Sequence, residues 1–506
     1  MKEVFFYGYF VILVILSIYG FHRYYMIYLY RKYKDKNPVP ESQFKELPPI
    51  TIQLPVFNEK YVVERLIEKV AMMRYPRNLL QIQVLDDSTD DTSTIAKKKC
   101  DEIRARGIDI AFIHRTDRSG FKAGALENGL KTATGEFVAV FDADFLPDED
   151  FLEKTIHYFT DSKIGMVQAR WDHENRRYSL LTECQSILLD GHFMIEHTAR
   201  NRSGRFFNFN GTAGMWRKST IADAGGWQHD TLTEDLDLSY RAQLKGWKFI
   251  FLPNVTVPAE LPIEMSAFKA QQFRWAKGSI QTFMKIFLRI VKSDIPLKNK
   301  VESFFHMGAN FAYLLMVMLS LLMPINIVIR YNHGFDRRLF ILDLPIFIFA
   351  TLSVMFFYFY SEYMVISETL SVRNRSKAKP LIYLPFVLSI GIGLCINNCK
   401  AVIEALIKKN TPFNRTPKYN VSDKGTISTR EKFTKLVANV YRIKKVDWVS
   451  IIELCMGVYF TFAVYYAFDK ELYFSLPFIM LFQIGFLYTA FLSMFNSPLA
   501  YIIKRK

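Results

Sequence analysis

From about residue 48 to residue 261 the chain alternates short apolar runs with amphipathic stretches, whereas on either side of that region the apolar runs are long enough to cross a bilayer. The alternating part predicts strands at 50–57, 81–86, 110–114 and 137–141. Helices at 60–73, 92–106 and 120–132 fall between them. Strands that alternate with helices predict a parallel sheet covered on both faces, with ligands bound at the carboxyl ends of the strands.

The long apolar runs follow a different rule. Residues 4–29 are apolar, lack a small-residue cleavage site and are followed by Arg31, Lys32, Lys34 and Lys36. That pattern predicts an uncleaved transmembrane helix with the next segment on the cytoplasmic side. Residues 266–291 place Phe268, Phe273, Trp275, Ile280, Phe283 and Phe287 among basic residues, as in a helix lying in the membrane interface. Further apolar runs at 304–329, 339–360, 381–403, 449–468 and 473–496 approach or exceed the roughly 20 residues a span requires. The 404–448 segment carries eleven basic residues against Glu404, Asp423, Glu431 and Asp447, which predicts a cytoplasmic loop. If all five runs cross, that loop falls outside, so 381–403, with Pro385 and several glycines, reads as re-entrant or interfacial.

The chain therefore divides into an N-terminal helix with its basic flank (1–37), a cytoplasmic α/β domain (48–262), an interfacial helix (263–300) and a C-terminal membrane region (301–506). The expected location is a plasma or inner membrane. Composition fits this division. The 506 residues are 50% hydrophobic and 23% charged, with net charge +16 and mean hydropathy +0.06. The excess charge lies beside apolar segments, which points to lipid headgroups, and no aromatic-interleaved basic sheet motif points to nucleic acid. Cys100, Cys184, Cys395, Cys399 and Cys455 form no CxxC pair, so neither a zinc site nor a disulfide framework is expected.

Candidate chemistry sits at the predicted strand ends. Asp142 and Asp144 follow an apolar strand two residues apart, pointing the same way in extended chain. Two hard oxygen ligands suit Mg²⁺ or Mn²⁺ completed by substrate phosphates; a solvated strand end is the competing reading. Asp86 and Asp87 end another strand and read either as nucleoside ligands or as part of a capped turn. Lys122 opens a helix after Arg115 and Arg118, where cations and a helix N-terminus favour a diphosphate, or form a solvated basic turn. Thr233-Glu234-Asp235 opens a helix and reads as an acidic first turn or as the site of a general base, Asp235. Gln271-Gln272-Phe273-Arg274-Trp275 offers an arginine for phosphate and a tryptophan for a sugar face, or an interfacial aromatic with a snorkelling arginine. Trp216, Trp227 and Trp247 read as core.

In this order on one chain, the motifs resemble the processive, membrane-bound members of glycosyltransferase family 2. The resemblance covers roughly residues 50–285 and includes Leu54-Pro55-Val56-Phe57-Asn58-Glu59, Asp86-Asp87, Lys122-Ala123-Gly124, Asp142-x-Asp144, Thr233-Glu234-Asp235 and Gln271-x-x-Arg274-Trp275. Phe209-Asn210-Gly211-Thr212-Ala213-Gly214 with Ala224-Gly225-Gly226-Trp227 is most similar to the plant glucomannan mannosyltransferases of the cellulose-synthase-like groups. Phe413–Lys418 is similar to the F-x-V-T-x-K gating loop of cellulose synthases, with arginine where valine is usual. Cellulose synthases carry more helices before the catalytic domain, which implies a differently assembled channel here, or none.

The resemblance implies a GT-A (Rossmann-like) domain that inverts the anomeric centre. It places Asp86, Asp87, Lys122, Asp142, Arg274, Pro55 and Glu59 at a nucleotide-sugar donor (GDP-mannose or UDP-glucose). Asp144 and Asp142 would bind the metal. Asp235 would act as base, and Gly211, Thr212, Glu234, Gln271 and Trp275 would line the glycan acceptor site. A lipid-acceptor enzyme, resembling ceramide glucosyltransferase or the polyprenyl-phosphate type, is the alternative.

Overall fold

The four predicted strands are present as β1 (Ile50–Val56), β2 (Leu80–Asp86), β3 (Ile110–His114) and β4 (Phe137–Val140) in a computed structural model of the chain. The structure describes residues 2–332, 346, 348–368, 380–409, 416–422 and 447–495. These strands lie parallel in the order β3-β2-β1-β4. The helices between them, Val63–Ala71, Thr92–Ala105 and Phe121–Leu130, match the predicted positions to within three residues at either end.

Three more strands complete the sheet: β5 (Ile164–His173), β6 (Gly214–Arg217) and β7 (Lys248–Ala259), in the overall order β3-β2-β1-β4-β6-β5-β7. β6 runs antiparallel to both β4 and β5, so the sheet is mixed where a parallel one was predicted. A four-residue strand carries too little periodicity to announce itself, and an antiparallel neighbour needs no crossover helix.

β4 shows why both faces must be covered. Phe137 and Ala139 pack into one buried cluster with Ile52, Leu54 and Val84, while Val138 and Val140 pack into the other with Trp216 and Phe251. Alternate side chains go to opposite faces, and both sets are apolar. Trp216 and Trp227 belong to this second cluster and Trp247 packs against it, as expected.

Among the described residues five helices are long and apolar enough to cross a membrane: Tyr7–Tyr33, Leu297–Asn332, Ile348–Ser367, Trp448–Asp469 and Leu476–Met494. The 381–403 run is broken. Leu381–Gly393 and Cys395–Leu406 meet at a bend of 40°, the geometry of either a broken span or a re-entrant loop. Most of the basic 404–448 segment, including Phe413, Asn414 and Arg415, lies outside the described residues.

Met265–Lys292 forms the long helix predicted for 266–291. Two of its lysines are more deeply enclosed than an interfacial helix requires. Lys269 is buried and donates to Glu453 Oε2 at 2.9 Å, and Lys277 is buried and donates to Glu404 Oε2 at 3.2 Å. A third buried ion pair set ties the α/β domain to the apolar helices. Arg176 reaches Glu183 (3.1 Å) and Asp190 (2.6 Å) on its own side, and Glu362 (2.6 Å) on helix Ser353–Glu368. Each group in these sets lies against an opposite charge, the condition for burying it, with Arg176 shared by three carboxyls.

Candidate active site

The carboxyl ends of β1, β2 and β4 face the same side of the sheet because these strands are parallel. β2 ends at Asp86, which is fully buried. Its carboxylate accepts from Ser88 N (3.1 Å) and Ser93 Oγ (2.6 Å) and lies 2.7 Å from His114 Nδ1. Asp87 receives a bidentate pair from Arg115, Nε to Oδ1 at 2.8 Å and Nη2 to Oδ2 at 2.5 Å. Arg115 Nη2 also donates to the Phe121 carbonyl at 3.0 Å, fixing the turn that leads into the Phe121–Leu130 helix. Arg118 stacks over the Phe57 ring, 3.3 Å from its centroid. Asp87 thus fixes Arg115, and Asp86 holds His114 and the Ser88–Ser93 turn.

Asp142 and Asp144 lie beyond the end of β4, in a turn. The strand ends at Val140, so the extended chain expected through Asp144 gives way to a turn at Ala143 and Asp144. Asp142 is ion-paired with Lys122, and its N–H donates to Thr212 Oγ1 at 2.8 Å. Asp144 is buried and accepts from Lys418 Nζ at 2.6 Å. Among the described residues no group of three or more His, Cys, Asp or Glu side chains is placed to hold a metal. Two carboxylates suit an ion that takes its other ligands from phosphate oxygens and water, as Mg²⁺ and Mn²⁺ do.

Lys122 connects this corner to the predicted base. Its Nζ also donates to the Gly211 carbonyl at 3.0 Å. Burial would lower the Lys122 ammonium, but Asp142, Glu234 and Asp235 outweigh it and hold the pKa above its ordinary value. Gly211 has φ +84°, and a Cβ there would lie 3.0 Å from Asp235 Oδ2 and 3.4 Å from Lys122 Nζ. Glycine is therefore demanded both by its left-handed backbone and by the carboxylate against it. Asp235 and Glu234 open the helix Glu234–Leu244, and Asp235 Oδ1 accepts from Leu236 N at 2.8 Å. Burial pushes the Asp235 carboxyl up to about 7, with Glu234 adding to the rise and Lys122 opposing it. Burial raises Glu234 as well, against Lys122. A carboxyl poised near neutrality beside a cation is suited to taking a proton from a hydroxyl.

Arg274 projects from the Met265–Lys292 helix and donates from Nη2 to Thr416 Oγ1 at 3.0 Å. Burial pulls its guanidinium down to about 10 although Glu234, Asp142 and Glu59 all act to raise it, which puts these acids in its neighbourhood. The Trp275 ring lies 6.4 Å from that of Trp171, and Gln271 is half-buried one turn before it. Pro55 pairs with Leu85 near the carboxyl end of β1.

Two parts of this site were not singled out from sequence. Glu260, at the end of β7, receives Tyr419 N (2.9 Å) and Asn420 N (2.8 Å), and its carbonyl accepts from Lys418. Burial pushes the Glu260 carboxyl up to about 7 against Lys418 and those two N–H donors. The segment 416–420 is thereby pinned across Asp144. The second part is a clamp on Asn210, next to Gly211. Its Oδ1 lies 2.7 Å from His197 Nε2 and its Nδ2 lies 3.0 Å from His192 Nε2. His192 continues to Glu196 (3.2 Å), Arg200 (3.1 Å from Glu196), Glu302 (2.9 Å) and His22 (3.0 Å) in the first apolar helix. Only the spacing of His192, Glu196 and Arg200 at four-residue intervals, one side of a helix, hinted at it.

Residues 48–278 match the family model described as Glycosyltransferase like family 2. Similar proteins include glucomannan 4-beta-mannosyltransferase 1 of Oryza sativa subsp. japonica, 43% identical over 259 residues, and glucomannan 4-beta-mannosyltransferase 7 of Arabidopsis thaliana, 40% identical over 277 residues. The matches cover 50% and 53% of this chain and 50% of each relative, so the chain spans about half the length of the curated relatives it matches. Among solved structures, mannosyltransferase PcManGT from Pyrobaculum calidifontis, in complex with GDP-Man and Mn²⁺, superposes with a TM-score of 0.52 at 18% identity. It covers 79% of this chain and 100% of that one, and shows that the fold is GT-A-like.

Proposed function

We propose that this chain, whose residues 48–278 are a glycosyltransferase family 2 domain, is a membrane-embedded inverting hexosyltransferase that extends a β-linked glycan from a nucleotide-sugar donor. GDP-mannose as donor and a mannan or glucomannan as product are favoured by the mannosyltransferases among its relatives. The observation that carries the reading is the meeting of Asp235, Lys122 and Asp142 around Gly211, with a carboxyl tuned to about 7 at its centre.

Asp142 and Asp144 would hold a Mg²⁺ or Mn²⁺ ion, which supplies positive charge to the departing diphosphate. The chain's own residues do the rest. Lys122, at a helix N-terminus, and Arg274 place fixed cations where charge develops on that leaving group. Asp87 and Arg115 wall the nucleoside end. Asp235 accepts the proton of the acceptor hydroxyl as its oxygen attacks the anomeric carbon from the face opposite the diphosphate, giving a β-linkage from an α-linked donor. Gly211 and Thr212 leave room for the acceptor sugar beside Asp235, and Trp275 offers it a ring face. Helices long and apolar enough to cross a membrane support a setting at a bilayer, and the basic flank Arg31, Lys32, Lys34 and Lys36 favours the α/β domain on its cytoplasmic side.

The test is a panel of GDP- and UDP-sugars with the purified protein and Mn²⁺ or Mg²⁺, followed by linkage analysis of the product. An insoluble β-linked polymer is expected, and an organic-soluble product would move the assignment to a lipid acceptor. Asp235→Asn should abolish transfer while nucleotide-sugar binding persists. Loss of donor binding in that variant, or turnover insensitive to chelation of divalent ions, would overturn the mechanism.

A further inference from the structure

Asn210 precedes Gly211, the residue set against Asp235, and both ends of its amide are held by histidines five residues apart. On an α-helix, residues five apart point about 140° away from each other. Here Gly191–His197 is π-helical, a wider turn bonded from i to i+5, and His192 and His197 come together with ring centroids 4.3 Å apart. Such turns are rare and often sit at functional sites.

One backbone atom fixes the protons in this grip. Burial pulls His197 well below the ordinary imidazole range, so its ring is neutral and carries one proton. His197 Nε2 lies 3.2 Å from the Asn208 carbonyl, which only accepts, so that proton is on Nε2. The Asn210 atom 2.7 Å from the same nitrogen is then its oxygen, and Nδ2 donates to His192 Nε2 at 3.0 Å. A ring nitrogen that accepts carries no proton. His192 therefore keeps its proton on Nδ1 and donates it to Glu196 Oε2 at 3.2 Å. Glu196 is held in turn by a chain that ends in the first apolar helix. Arg200 donates from Nη1 to Glu196 Oε2 (3.1 Å) and from Nε to Glu302 Oε1 (2.9 Å), and His22 Nε2 lies 3.0 Å from Glu302 Oε2. Arg200 and Glu302 are buried, and the His22 ring stacks on Phe305 at 4.3 Å. His22 lies inside the candidate span Tyr7–Tyr33, where an ionisable side chain is costly and calls for a role.

We propose that His22 is a positioning residue for the acceptor loop: through Glu302, Arg200, Glu196 and His192 it fixes the Asn210 amide beside Gly211, where Asp235 meets the acceptor hydroxyl. The inference rests on the reading of Gly211 and Asp235 as the acceptor side of the site. Without the His22 N–H, Glu302 answers to Arg200 alone, and the guanidinium is free to leave Glu196. His192 then loses the acceptor that keeps its proton on Nδ1. A proton moved to Nε2, by exchange with water and with no change of charge, faces the Nδ2 donor of Asn210, and the grip breaks. The loop thus has two discrete states set by one imidazole proton, and the membrane helix selects between them.

Steady-state transfer to an acceptor oligosaccharide is measured with the full chain carrying His22→Leu, Asn210→Ala or both. His22→Leu is expected to raise KM for the acceptor about fivefold, the worth of one hydrogen bond, with KM for the donor within about twofold. His22→Gln, which keeps an N–H donor, should restore the acceptor KM. In the Asn210→Ala background His22→Leu should add nothing, because the group it acts through is gone. Additive effects, or both KM values rising together, overturn the proposal. Where His22→Leu fails to fold, His22→Asn, whose shorter amide stops short of Glu302, takes its place. The imidazole nitrogen NMR spectrum needs no turnover: His192 is expected as the Nδ1–H tautomer in wild type and as a mixture in the His22 variant. An unchanged His192 spectrum overturns the proposal. A responsive spectrum in a protein that transfers no sugar to glycan counts against the acceptor reading alone.

Discussion

The Nζ of Lys418 lies 2.6 Å from Asp144 Oδ2, across 274 residues of sequence. Burial would lower this lysine's pKa, but Asp144 and Glu260 outweigh it and hold it charged. The carboxylate assigned to the divalent cation is thus already neutralised by a side chain from a distant segment. A metal at Asp144 has to compete with that ammonium. Lys418→Ala is therefore expected to lower the Mn²⁺ concentration giving half-maximal activity by about threefold to tenfold, the equivalent of an ion pair of about 1 kcal/mol. A metal titration of steady-state transfer checks this, and an unchanged midpoint would show that the two cations do not compete.

Asp235 acts as a base only when ionised. Its folded pKa of about 7 means that it holds its proton below neutrality and releases it above. Transfer measured as kcat/KM should fall on the acid side, by about tenfold per pH unit below pH 7. Because the Glu234 charge helps raise Asp235, Glu234→Gln should move this acid limb to lower pH, the sign expected when a neighbouring negative charge is removed. A pH–rate profile of both proteins decides it.

Gly211→Ala puts a methyl carbon 3.0 Å from Asp235 Oδ2 and forces alanine into φ +84°. The backbone strain alone costs about 1–2 kcal/mol. Displacing the base by a fraction of an ångström should cost transfer far more than stability, on the order of a hundredfold in kcat. Measuring kcat beside thermal midpoint separates the two effects.

Asn210 is gripped at both ends of its amide by His192 and His197. Asn210→Asp keeps the shape but replaces the Nδ2 donor by an acceptor facing His192 Nε2. The acceptor loop should loosen, raising KM for the acceptor while KM for the donor stays within about twofold, as for loss of one positioning contact. Equal changes in both constants would point to a general loss of structure.

Arg176 is the cation shared by Glu183, Asp190 and Glu362 within a buried set. Arg176→Met leaves three acids without their common cation and should destabilise the protein by about 3–5 kcal/mol. Thermal unfolding in detergent measures it.

Much of the site was legible along the chain. Asp86, Asp87, Asp142 and Asp235 stand at element ends, where the apolar pattern stops and acids begin, and short-range periodicity reports such boundaries directly. The same holds for the helix carrying Arg274 and Trp275. What pattern could not report was direction and company. Asp142 and Asp144 meet different lysines, Lys122 and Lys418, and hydrophobic spacing encodes neither partner.

By itself, then, the sequence determined where the first four strands, the helices between them and the long apolar runs lie, since each depends on residues within a turn or two of one another. It also determined which acids end the strands. The tertiary structure alone decided that β6 runs antiparallel between β4 and β5, that Lys418 sits on Asp144, that two histidines hold Asn210, and that Arg176 meets Glu362. Each of those depends on backbone direction at a loop or on contacts between distant segments. Such contacts form only when burial has brought the segments together, and no local pattern carries that information.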